Sequence, residues 1–125
     1  MVAINFTYAP AEYLIPLNLK ISTIRLRNPF KEEKIQRLKI LELYWHQRQP
    51  DCKLLGRRML TELKVIRKPL IEFIHAAPPE VIYGEGFGFD RILIENYFKG
   101  FYDDITLGTP GEFYIVTWHP IYRGD

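Results

Sequence analysis

Lys39-Ile40-Leu41-Glu42-Leu43-Tyr44-Trp45-His46-Gln47-Arg48 is the stretch on which the fold turns. Successive side chains of a strand point to opposite faces, so Leu41, Leu43 and Trp45 fall on one side and Glu42, Tyr44, His46 and Arg48 on the other. The first set reads as core. The second places an acid, a phenol, an imidazole and a guanidinium at alternate positions, as the floor of a polar cleft would. A strand with one solvated face has the same pattern.

Working outward, Lys20 to Arg27 alternates as a strand, with Ile24 and Leu26 on one face and Thr23, Arg25 and Arg27 on the other. Asn28-Pro29 supplies a helix cap and a first-turn proline, and Phe30, Ile35 and Leu38 share a helical sector, which predicts a short helix to about Leu38. Downstream, Pro50-Asp51 turns the chain, and Leu54 to Lys68 reads as a long basic strand ended by Pro69. Leu70 to Ala77 fits a strand or a helical turn and is taken as strand, as is Val81 to Tyr83. Asp90, the four-residue recurrence Leu93, Tyr97, Phe101, and Gly100 predict a second helix. Asp103 to Gly111 reads as a loop, and the continuous apolar run Phe113 to Trp118 as a buried last strand. Two helices among about five strands, without βαβ rhythm, predict an α+β fold with a mostly antiparallel, closed sheet.

A chain of 125 residues, 47% hydrophobic and 14% aromatic, is expected to form one core. Residues 1–19, with Phe6, Tyr8, Tyr13, Pro10 and Pro16, are expected as an extended N-terminal arm or a short edge strand, and residues 20–125 as the domain proper. The start of the chain lacks the pattern of a signal peptide or a membrane span. The lone Cys52 makes no internal disulfide, no Cys/His spacing suits zinc, and a cytoplasmic protein without metal or cofactor is the simplest expectation. Charge is uneven: Lys20 to Lys68 holds 14 Lys/Arg against 5 Asp/Glu, whereas Pro69 to Asp125 holds 3 against 9. A basic half of this kind suits phosphate contact, or a fold that intersperses both halves and cancels the field.

In order and motif the chain resembles the ASCH domains of the PUA-like superfamily. The resemblance rests on Ile24-Arg25-Leu26-Arg27, Lys39 through Arg48, Leu55-Gly56, Glu85-Gly86-Phe87 before the helix with Phe98, and Tyr114 through Trp118, spanning about residues 20 to 118. Where the family signature has a glycine two residues before its lysine, this chain has Arg37. The resemblance implies a small PUA-like, mixed and mostly antiparallel β-barrel whose cleft takes RNA or a nucleotide-like ligand. Some small members resemble amidohydrolases that deacylate modified cytidine with a lysine, a threonine three residues on and a glutamate ahead of the second helix. Lys39 and Glu85 match the first and last, and Glu42 stands at the threonine position.

The candidate residues follow. Lys39 can meet a phosphate or polarise a carbonyl, and Arg25, Arg27 and Arg48 offer planar donors for phosphates or base edges. Tyr44 can stack on a base. If the chain is an enzyme, an amidohydrolase or nuclease, Lys39, Glu42 and Glu85 would carry the chemistry. A carboxylate at Glu42 would hold a nearby ammonium protonated, which favours binding over turnover. A protein-interaction domain remains the third alternative. Against each stands a solvated lysine, a surface glutamate, or arginines in salt bridges with Glu32, Glu62 or the acidic C-terminal half.

Overall fold

Strand β3, Ile40–Trp45, buries Leu41, Leu43 and Trp45 and leaves Glu42 and Tyr44 half-buried, in the register expected from alternation. It sits near the middle of the sheet in a computed structural model that describes residues 2–120. On one side β3 pairs antiparallel with the 14-residue strand β4, Lys53–Ile66; on the other it pairs parallel with β1, Val2–Phe6. The far half of β4 pairs antiparallel with β5, Phe113–Trp118, which in turn pairs with β2, Ser22–Leu26. The order is β1-β3-β4-β5-β2, and the sheet curls into a half-barrel whose edge strands are β1 and β2.

Each sheet face has its own core. Val2, Ile4, Phe6, Leu41, Leu43, Trp45, Tyr114, Val116 and Trp118 pack with Ala11 and Ile15 of the α1 region (helix Ala11–Leu14) and with Ile35 of α2, Pro29–Leu38. On the opposite face, Ile24, Ile66, Phe113 and Ile115 pack under α3 (Leu70–Ala76), α4 (Pro79–Gly84), α5 (Arg91–Lys99) and α6 (Asp104–Gly108). Strand β5 alternates between these two cores, which explains why its sequence is apolar without a break.

The expected α+β class and mostly antiparallel sheet are present, with differences of physical origin. Six helices, not two, occur among the described residues. Leu70 to Ala77 is helical because Leu70 and Ile74, four apart, both reach the core. Val81 to Tyr83 belongs to a helix begun by Pro79 in its first turn, and Asp103 caps α6 by accepting from the Thr106 amide at 2.7 Å. Of the two expectations for the N-terminal segment, the edge strand holds for residues 2–6: β1 lies at the sheet edge, and Val2, Ile4 and Phe6 are core rather than an arm. Phe30 is exposed rather than aligned with Ile35. The cap of α2 is as expected, Asn28 Oδ1 accepting from the Phe30 and Lys31 amides at 3.1 and 3.2 Å.

Candidate functional site

The half-barrel leaves a seam between its edge strands, and polar side chains converge there. After α1 the chain turns through Asn18, at φ 60°, and returns the Leu19 and Lys20 amides to the Leu14 carbonyl. Lys20 enters the interior, only 4% exposed, and its Nζ donates to the Ser22 and Glu85 carbonyls, each at 2.6 Å. Gly86, at φ 92°, passes so close to the lysine stem that a Cβ would lie 3.2 Å from Lys20 Cδ. Only glycine meets both conditions comfortably.

Glu85, 2% exposed, follows α4 and caps the free edge of β2: Oε1 accepts from the Ile24 amide at 3.1 Å, and Oε2 from the Ser22 hydroxyl. Arg25 spans the seam. Its Nη2 donates to the Asn5 carbonyl of β1 at 2.7 Å, its Nε to Thr23 Oγ1 at 3.0 Å, and its guanidinium lies 4.8 Å from the Phe6 ring centre. Around these groups lies a cavity of about 180 Å³, walled by Tyr8, Phe87, Tyr97, Phe101 and Tyr102. Tyr8 and Phe87 stack at 4.4 Å. The volume is below that of sites for drug-sized ligands, so it suits a small ligand group.

Burial lowers the Lys20 pKa to about 8, against the opposing pull of Glu85 and with a smaller lowering from Arg25. Burial also lowers Arg25, which as a guanidinium stays charged. It raises Tyr97, partly offset by Arg25. Two cations thus face one carboxylate.

Of the residues expected at a site, the structure brings Arg25 and Glu85 to this cavity; Arg27, Lys39, Glu42, Tyr44 and Arg48 do not line it. Lys39 is an exposed left-handed cap of α2 at φ 60°, its amide on the Ile35 carbonyl. Glu42 pairs with Arg57 at 3.1 Å rather than with Lys39. Arg48 cannot share a face with Glu42 and Tyr44, because β3 ends at Trp45 and His46 and Arg48 take positive φ. Arg27 is held by Glu32 at 3.0 and 3.2 Å. Lys20, Ser22, Thr23 and the aromatic wall were not expected. A signal for them exists: Lys20-Ile21-Ser22-Thr23 places a threonine three residues after a lysine, the spacing that the resemblance implies.

No protein-family model matches the chain, and no curated protein and no solved structure matches it. Among the described residues no group of His, Cys, Asp and Glu is arranged to hold a metal ion, and no helix is long and apolar enough to cross a membrane.

Proposed function

We propose that the chain is a PUA-like domain of ASCH type that hydrolyses the amide of an N-acylated nucleobase in the seam cavity. One observation carries this reading: Lys20, buried and with a pKa of about 8, shares a cavity with Thr23 and Glu85. The ASCH-type amidohydrolase pattern of lysine, threonine three residues on, and glutamate before a later helix is met by these three.

Neutral Lys20 has two N–H groups and one lone pair. The Ser22 and Glu85 carbonyls take both hydrogens, which leaves the lone pair free to accept a proton. Thr23 accepts from Arg25 Nε and so keeps its own hydroxyl proton to give. In the first half-reaction the Thr23 oxygen attacks the acyl carbonyl while Lys20 takes its proton. The C–N bond then breaks, and the Lys20 ammonium returns that proton to the departing base nitrogen. Water, deprotonated by Lys20, attacks the threonine ester; the C–O bond to Thr23 breaks, Lys20 returns that proton to the Thr23 oxygen, and the acid is released. Arg25 Nη1, without a protein acceptor among the described residues, stabilises the oxyanion. Glu85 positions Lys20 through its main-chain carbonyl and fixes β2 through its carboxylate. The aromatic wall selects planar bases.

The test is release of acid from an N-acetylated cytidine by the purified protein. Turnover lost in Lys20→Arg and Thr23→Val supports the reading, since arginine cannot act as a base near neutral pH. Absence of turnover with every acylated base tried, or full activity in Thr23→Val, overturns it.

A second reading, RNA or nucleotide binding, is favoured by a separate groove. Lys64, Arg67 and Lys68 line a hollow of about 300 Å³ with Phe73 and Ile115, and none of the three cations has an ion-pair partner among the described residues. Free cations beside an aromatic floor suit a phosphate with its base.

A further inference from the structure

Arg58 lies in the middle of β4, opposite Leu41, and is 4% exposed. Among the described residues no carboxylate comes within ion-pair distance of it, and its Nε has no hydrogen-bond partner. A buried cation without a counter-charge is an expensive way to hold two segments together. What it does hold is specific: Nη2 donates to the Ile15 carbonyl at 3.1 Å and to Asn18 Oδ1 at 3.3 Å, while Nη1 turns back to the Arg57 carbonyl at 3.0 Å. Ile15 and Asn18 begin and end the turn that delivers Lys20 to the seam.

Gly56, two residues earlier on the same face of β4, makes this possible. A Cβ there would lie 2.1 Å from Arg58 Nη1 and 2.9 Å from Cζ, so the guanidinium occupies the space that any larger residue would fill. The glycine of the Leu55-Gly56 pair is thus required for room, not for an unusual φ.

We propose that Arg58, seated on Gly56, is a positioning residue that latches the Ile15–Asn18 turn and thereby keeps Lys20 inside the cleft. This deepens the hydrolase reading by naming what holds its base, and it can be measured without turnover. Released from the latch, the turn would loosen and water would reach the Lys20 amine. The charged groups facing that amine are Glu85 and Arg25, both on other segments and both left in place.

The experiment is an NMR titration of the Lys20 side chain in protein carrying isotope-labelled lysine, with Lys20→Arg to assign the signal. In the unaltered protein Lys20 should titrate near 8. In Arg58→Met and in Gly56→Ala, with amide spectra still dispersed, it should move toward the ordinary lysine value by about one pH unit or more. Leu70→Ala, which weakens the core on the opposite face of the sheet, should leave it in place. Gly56→Ala added to Arg58→Met should change nothing further, because both act on one contact. If Arg58→Met does not fold, Arg58→Lys, which retains the charge but not the paired donors, gives the same reading. A folded Arg58 or Gly56 variant in which Lys20 titrates as before overturns the latch, and so does an ordinary pKa in the unaltered protein. Absence of turnover with a Lys20 that titrates low and responds to Arg58 would instead sink the hydrolase reading alone.

Discussion

Lys20 ties stability to pH in a direction opposite to that of most lysines. Its folded pKa of about 8 lies below the ordinary 10.5, so between these values the unfolded chain still binds a proton that the folded chain has lost. Stability therefore rises with pH across that window, and below it Lys20 adds no slope because both states are protonated. Denaturant titrations at about pH 8 and about pH 9.5 should show a gain of roughly 1–2 kcal/mol that Lys20→Met abolishes. An equal gain in the variant would mean that another group is responsible. On the hydrolase reading, kcat/KM for an acylated base should rise through about 8, where the neutral form becomes dominant. A pH-independent rate would remove Lys20 as the base. At the residue scale, Arg25 and Glu85 are legible as candidates, whereas Lys20 is not, because a lysine at a strand's start is usually solvated. Its burial depends on Glu85, 65 positions away in the chain.

Among the elements, β3 was the most readable, since its register depends only on which alternate residues are apolar. Leu43→Ala, on the buried side, should cost about 2–5 kcal/mol. Glu42→Gln should cost less than about 1 kcal/mol, since among the described residues Glu42 pairs with the exposed Arg57. Denaturant midpoints compare the two directly, and similar losses would mean that Glu42 has a hidden structural role. The N-terminal segment offers a sharper test. Because Val2, Ile4 and Phe6 belong to the core and β1 forms one lip of the seam, deletion of residues 1–8 should abolish cooperative unfolding followed by circular dichroism. A sharp melt in the truncated chain would restore the arm. Short helices were hard to read for a physical reason: α3, α4 and α6 are each one or two turns long, too short for a clear period and too short to be stable without the sheet beneath them.

For the molecule as a whole, the basic half does not act as one surface. Arg27, Arg37 and Arg57 are paired with Glu32, Glu33 and Glu42 of the same half, Lys53 with Glu12, and Lys20 and Arg58 are buried; of the cations without an ion-pair partner among the described residues, Lys64, Arg67 and Lys68 share one hollow. If that groove binds RNA, each lost phosphate contact should lower the slope of log K against log salt by about 0.7 for a single strand. Replacing all three by alanine should therefore flatten the slope by roughly 2 in a polarisation titration with labelled single-stranded RNA. An unchanged slope would place any binding elsewhere. By itself the sequence determined the α+β class, the inward set of β3 and β5, and the caps of α2 and α5. These depend on residues close together in the chain, where side-chain period and hydrogen-bonding groups act directly. Only the tertiary structure decided that β1 and β2 border an open seam, that Glu85 caps β2 and draws Lys20 inside, and that Arg58 rests on Gly56. Each of these joins residues that are neighbours only once the sheet has curled, and whether a charge is paired, solvated or buried is settled by that curling.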